Sequence, residues 1–231
     1  MRATVASVDL HAVDLRAEGQ PWEIWVSDLA PKERARADRF AFPEGRRRFI
    51  VGRATLRRLL ADRLQILPAE ISLIEGPQGK PALDPALSKH NELAPFIGFN
   101  LSHSGDMAVI AIGSGELGID VESVHRSVDA MAIVRRFFSE TERAGFEAME
   151  PGVVRDRLFF RVWTRKEALV KAVGRGLSCP LSSFTVPLGD LSTEGEWLNC
   201  PEQPGRKWRL HEVGNALNLG PDWVSALVTT A

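Results

Sequence analysis

Two long stretches of the chain repeat core-facing positions every three or four residues, the spacing of one face of a helix. The first runs from about Arg46 to Leu64, with Phe49, Leu56, Leu60 and Leu64 on the stripe, Arg53 in register with them, and Arg47, Arg48, Arg57 and Arg58 off it. The second runs from about Val154 to Val173, with Leu158, Val162, Leu169 and Ala172 on its stripe, and is closed by Gly174-Arg175-Gly176. Shorter helices are predicted from Pro31 to Phe40, around Ala130 to Phe138, and from the capping box Ser139-Glu140-Thr141-Glu142 up to Pro151-Gly152. Phe42-Pro43-Glu44-Gly45 reads as a break before the first long helix. Strand patterns fall at Trp22 to Val26, Ile71 to Ile74, Met107 to Ile112, Phe184 to Val186, Glu196 to Leu198, Lys207 to Leu210 and Trp223 to Val228. Between them lie a turn, Gly76-Pro77-Gln78-Gly79-Lys80-Pro81, an aperiodic loop from Asp84 to Pro95, and a polar turn, Ser102-His103-Ser104-Gly105-Asp106.

Each half of the chain therefore reads as a helical region with one long helix, followed by strands. The pattern predicts an α+β fold of two similar lobes, residues 1–115 and 116–231, joined near Gly113 to Gly118. At that seam stands Gly118-Ile119-Asp120-Val121-Glu122. Alternation along a strand puts Ile119 and Val121 on one face and the two carboxylates on the other. Such a pair is either a solvated strand face or two ligands for a hard cation such as Mg²⁺, which is held by one or two carboxylates and substrate phosphates. A cleft between lobes is a common place for a ligand.

Composition narrows the classes. The 231 residues carry a net charge of −1, which argues against a general nucleic-acid binder. No apolar run approaches the ~18 residues of a membrane span. Met1-Arg2-Ala3-Thr4-Val5 has neither the apolar block nor the cleavage site of a secretory signal. Cys179 and Cys200 lack metal-site spacing. A cytoplasmic protein without a structural metal is the expectation. Charge is uneven, however: from Lys32 to Arg63 there are eleven basic and four acidic residues, a local +7. That is either solvated helix surface or an anion site.

Several further residues are candidates for chemistry. Trp163, Glu167 and Lys171 share a helix face at spacings of four. Glu167 and Lys171 form either an ordinary surface pair or a third carboxylate beside a cation for phosphate charge. His103, in its Ser/Gly-rich segment, and Lys80, in its Gly/Pro turn, are either solvated or anion contacts.

Taken in order, Gly79-Lys80-Pro81, Phe99-Asn100-Leu101-Ser102-His103-Ser104, Gly118-Ile119-Asp120-Val121-Glu122, Phe137-Phe138-Ser139, Trp163-Thr164-Arg165-Lys166-Glu167-Ala168-Leu169-Val170-Lys171 and Gly174-Arg175-Gly176-Leu177 resemble the motifs of surfactin-type 4′-phosphopantetheinyl transferases. The resemblance implies a pseudo-twofold pair of α/β lobes with coenzyme A between them. Its activity would be Mg²⁺-dependent transfer of 4′-phosphopantetheine to a serine of an acyl or peptidyl carrier protein, with release of 3′,5′-ADP. It implies Asp120, Glu122 and Glu167 as Mg²⁺ ligands, and Glu167 as ligand, base for the serine, or both. It further implies His103 and Ser102 at the pyrophosphate or 3′-phosphate, Arg48 with Arg36 at the 3′-phosphate, Lys80 near the adenine, and Lys171 at the leaving group. A monomer is expected, with a basic and apolar dock for the carrier near Arg135, Arg136 and Phe137. Two other readings use the same residues: a Mg²⁺-dependent hydrolase of nucleotide-like pyrophosphates, and a coenzyme A or carrier-protein binding module without chemistry.

Overall fold

The structure, a computed structural model, describes residues 1–76, 78–176 and 179–230. Pro77 of the Gly/Pro turn and Leu177 of the last motif lie outside the described residues.

Both long helices form where the periodicity places them. α1 spans Pro31–Ala37 and α2 spans Pro43–Leu64. The segment read as a break before α2 is its first turn, because proline's fixed φ suits the N1 position and its missing N–H is not needed there. α3 (Ala130–Phe137), α4 (Glu140–Glu147) and α5 (Val153–Val173) follow in the second half. The predicted capping box holds: the Ser139 hydroxyl accepts from the Glu142 amide, and the Ser139 amide donates to the Glu142 carboxylate at 2.7 Å. α5 stops at Gly174, whose φ of 75° is a left-handed cap conformation that glycine adopts without strain.

Among the described residues, ten strands make two four-stranded antiparallel sheets and one small hairpin. The first sheet contains β1 (Arg2–Val5), β2 (Val8–Asp14), β5 (Gly98–Ser104) and β6 (Met107–Gly113) in the order β1-β2-β6-β5. The second contains β7 (Leu117–Ser123), β8 (Glu196–Asn199), β9 (Lys207–Glu212) and β10 (Trp223–Thr230) in the order β7-β10-β9-β8. The hairpin is β3 (Leu73–Glu75) with β4 (Pro81–Leu83). Each half thus builds the same unit: a strand, a long helix, then a hairpin whose second strand lies beside the first strand. That is β2, α2, β5, β6 in one half and β7, α5, β9, β10 in the other. The expected α+β class and the likeness of the two halves both hold.

Apolar clusters hold the layers. α2 packs on the first sheet through Leu56, Leu60 and Leu64 against Phe99, Ile110 and Ile112. α5 packs on the second through Val162, Leu169 and Ala172 against Leu210, Ala226 and Val228. A central cluster joins the two sheets, with Leu10, Val109 and Ala111 meeting Ile119, Val121 and Leu227. Among the described residues no helix is long and apolar enough to cross a membrane.

Local expectations fail where tertiary contacts override a short pattern. Trp22 to Val26 is a 3-10 helix, Trp22–Asp28, and its tryptophans pack against residues of α2. Ser102 to Ser104 belongs to a strand, and only Gly105-Asp106 turns. Phe184 to Val186 forms no strand. β1 and β2, which the sequence reading passes over, carry the alternation Val8, Leu10, Ala12 on one face. Arg57, off the apolar stripe, is nevertheless buried: it donates to Glu33 at 2.5 Å and to the carbonyls of Pro68 and Ile71 at 2.6 and 3.0 Å.

Candidate active site

The two sheets meet at their edge strands, β5 and β7, and side chains there stand in for a backbone ladder. The Ile119 amide donates to Asn100 Oδ1 at 2.9 Å, Ser102 Oγ donates to Asp120 Oδ1 at 2.7 Å, and Ser104 Oγ donates to Glu122 Oε2 at 2.7 Å. Partners advance together along the chain, so β5 and β7 run side by side in the same direction. The period-2 spacing of Asn100, Ser102 and Ser104 is what aims all three across the seam. β7 lies close against α5 at Gly118, where a Cβ would sit 2.2 Å from the Ala168 carbonyl oxygen and 2.3 Å from the Ala172 nitrogen. Only glycine lets the strand approach the helix this closely, and that approach sets Asp120 and Glu122 beside Glu167 and Lys171.

The alternation expected for β7 holds: Ile119 and Val121 enter the central core, and the carboxylates take the other face. That face is not a solvated one. Asp120 is 4% exposed and Glu122 8%. Lys171 Nζ donates to Asp120 Oδ1 at 2.6 Å and to Ser102 Oγ at 2.8 Å. Burial pushes the Asp120 pKa up, while Lys171 and the Ser102 hydrogen bond pull it back down. Asp120 Oδ2 is buried and has no hydrogen-bond partner. An orphaned carboxylate oxygen costs free energy unless something positive meets it, so the donor set fits a hard cation. Glu122 has its own cation, Arg126, which donates to both carboxylate oxygens.

Glu167 is half-buried on the adjoining face of α5. Burial, then the charges of Asp120 and Glu122, raise its pKa to about 6 against the pull of Lys171. The three carboxylates therefore share one field. Among the described residues, however, no three acidic, His or Cys side chains converge as a ready-made metal cage. Two carboxylates with substrate oxygens suffice for Mg²⁺.

Around this centre the other candidates take distinct places. His103 follows Ser102 on β5, and its pKa is lowered by desolvation and then by the charges of Lys171 and Arg48, against Glu122 and Asp120. Arg48 donates to Asp106 at 2.7 Å, at the turn after β5. Lys80 donates to the carbonyls of Leu117 at 2.9 Å and Lys171 at 2.6 Å, tying the start of β7 to the last turn of α5. Burial lowers its pKa to about 8. Arg36 lies over the Phe49 ring at 5.1 Å and lines a cavity of about 660 Å³ with Phe49, Arg53 and Pro81. Arg48 is not among the residues lining that cavity. Pro81 borders it, one residue from Lys80, and no residue of β7 or α5 is among those lining it.

Behind the site, Lys166 fixes α5. Its ammonium, fully buried, donates to Glu142 Oε1 and Oε2 at 2.8 and 2.6 Å and to the Phe184 carbonyl at 2.8 Å. Glu142 also accepts from the Val186 amide at 2.7 Å. Phe137 packs edge-on against Trp163 at 5.8 Å, one helical turn before Glu167, while Arg135 and Arg136 are exposed.

Comparison with known proteins places this arrangement. Residues 116–228 match the 4′-phosphopantetheinyl transferase superfamily, and residues 16–114 match a family described as 4′-phosphopantetheinyl transferase, N-terminal. A Bacillus subtilis 4′-phosphopantetheinyl transferase is 36% identical over 165 residues, covering 71% of this chain and 69% of that protein. The chain belongs to the 4′-phosphopantetheinyl transferase superfamily. The B. subtilis strain 168 4′-phosphopantetheinyl transferase Sfp is 31% identical over 175 residues, covering 74% of this chain and 73% of its own. A putative 4′-phosphopantetheinyl transferase from Synechocystis is 36% identical over 151 residues, which span 65% of this chain and 58% of that protein's length. The surfactin-type resemblance is thereby borne out.

For this superfamily member, sequence reasoning brings Asp120, Glu122, Glu167, Lys171, Ser102 and His103 to one place. It misses Asn100 and Ser104, whose signal is the alternation with Ser102, hidden because the stretch also reads as a turn. It misses Arg126, for which four residues' separation from Glu122 across a strand end carries no recognisable pattern.

Proposed function

We propose that the protein transfers 4′-phosphopantetheine from coenzyme A to a serine of an acyl or peptidyl carrier protein. The observation that carries this reading is Asp120: buried at the β5–β7 seam, tethered through one oxygen to Lys171 and Ser102, and unpartnered at the other. Asp120, Glu122 and Glu167 would hold a Mg²⁺ ion there. When bound, that ion supplies neutralising charge at the phosphate oxygens.

The rest is done by the chain's own groups. The acceptor serine's oxygen attacks the β-phosphorus that bears the pantetheine arm, the bond to the nucleotide half breaks, and 3′,5′-ADP departs. Glu167, with a pKa of about 6, is ionised at neutral pH and takes the serine's proton. Lys171 uses two N–H groups on Asp120 and Ser102, and its third is free for the charge developing on the leaving group. His103, whose pKa is lowered by desolvation and by the charges of Lys171 and Arg48, donates a ring N–H to the pyrophosphate or 3′-phosphate. Arg48 reads the 3′-phosphate with Arg36, which lines the cavity beside Pro81. Lys80 lies toward the adenine while bracing β7 on α5.

In this reading residues 1–115 supply the nucleotide contacts and residues 116–231 the ion and the base. Arg135, Arg136 and Phe137 form the dock for an acidic carrier, since Phe137 touches Trp163 one turn from Glu167. A Phe137→Glu variant with an unchanged Michaelis constant for the carrier removes that dock. The reaction itself is tested by following 3′,5′-ADP from coenzyme A and Mg²⁺. Release that requires the apo carrier supports transfer, and equal release without it means hydrolysis.

A further inference from the structure

Glu122 is neutralised by the chain itself. Arg126, four residues on and beyond the end of β7, places its guanidinium on both carboxylate oxygens, and Ser104 donates to one of them. The contrast with Asp120 is direct: Asp120 keeps a buried oxygen without a partner, while both oxygens of Glu122 are taken. Arg126 borders solvent. Its side chain is 49% exposed and lines an open cavity of about 480 Å³ with Arg16, Asp106 and Trp223. Asp14 also lines that cavity, held by Arg16 as Asp106 is by Arg48, so a guanidinium leaving Glu122 moves into water among paired charges, not into an apolar core.

A guanidinium and a divalent ion cannot both occupy the same carboxylate. Arginine stays charged at any working pH, so the competition does not titrate away. We propose that Arg126 is the resident counter-cation of the ion site: it occupies Glu122 in the ion-free protein, an incoming divalent cation displaces it, and that exchange weakens the ion's apparent affinity. The inference rests on the reading of Asp120, Glu122 and Glu167 as the ion's ligands.

The test is a Mn²⁺ titration of the full chain with coenzyme A present and no carrier, so that nothing turns over, with free Mn²⁺ read by electron paramagnetic resonance. Arg126→Ala and Arg126→Gln each tighten Mn²⁺ binding about tenfold, the scale of one charge-assisted hydrogen bond. Asp120→Ala abolishes binding in both the native and the Arg126→Ala backgrounds. Unchanged or weaker Mn²⁺ binding in both Arg126 variants, with Asp120→Ala still abolishing it, overturns the role of Arg126 and leaves the ion site standing. Binding that survives Asp120→Ala, or that is absent from native and Arg126 variants alike, overturns both.

Discussion

Lys171 Nζ stands 2.6 Å from Asp120 Oδ1, joining the last turn of α5 to the middle of β7. Asp120 is almost fully buried and Lys171 is its compensating charge. Truncating the lysine leaves a buried carboxylate that must take up a proton or be destabilised. Lys171 is partly exposed, so Lys171→Met is expected to cost less than a fully buried pair would, roughly 2–3 kcal/mol at neutral pH, about 4–12 °C in Tm. The additional change Asp120→Asn is expected to restore most of it. A thermal scan of the two variants checks this, and a double variant no more stable than Lys171→Met contradicts the pairing.

Arg48 projects from α2 onto Asp106 at the turn after β5, where its charge acts on His103. If it reads the 3′-phosphate, Arg48→Ala raises the Michaelis constant for coenzyme A roughly tenfold and leaves that for 3′-dephospho-coenzyme A nearly unchanged. Steady-state kinetics with the two substrates decides it, because equal effects on both place Arg48 elsewhere.

Glu167 gives a pH-dependent outcome. Its pKa is raised from 4.5 to about 6 in the folded, ion-free protein. The folded state therefore favours the protonated form, and the group's stabilising contribution is full below about 4.5 and lost as pH rises through about 6. Glu167→Gln, a permanently neutral substitute, is expected to raise Tm in chelator above pH 6 by a few degrees and to show no gain below pH 4.5. The same variant is expected to lose transfer activity. A uniform gain at all pH values would mean that the carboxylate's charge is not the cause.

The Glu142–Lys166 pair is fully buried on both sides. Removing one partner strands the other: Glu142→Leu or Lys166→Met alone is expected to cost roughly 3–5 kcal/mol. The double replacement leaves no stranded charge and is expected to recover most of that loss. Urea unfolding of the three variants measures it, and additive losses would contradict a coupled pair.

How much of this was legible in sequence follows from where the deciding forces lie. Long helices declare themselves because α2 and α5 repeat the same apolar face over five or six turns, and the Ser139 hydroxyl and Gly174 mark a helix start and a helix end by local chemistry alone. β7 is legible because Gly118 and the alternation after it are both local. Short segments are not: Trp22 to Val26 has too few positions to separate a strand from a 3-10 helix, and its tryptophans are placed by α2. Ser102 to Ser104 carries the small polar residues of a turn, yet its polar face is directed at carboxylates that arrive only when the second sheet docks. Arg57 and Lys166 are charges whose burial depends on partners 24 residues away in each case. Periodicity places such residues on a face, and only the assembled fold shows what meets them.

The central claim is transfer of a phosphopantetheine arm at the Asp120 site, and the mass of the acceptor tests it most directly. Purified protein is incubated with coenzyme A, Mg²⁺ and an apo carrier protein, and the intact carrier is weighed. The account predicts that the carrier gains the mass of one 4′-phosphopantetheine group on its serine, and that Asp120→Ala protein, folded by circular dichroism, gives no gain. A carrier of unchanged mass with the native protein, or full modification by the Asp120→Ala variant, would contradict it.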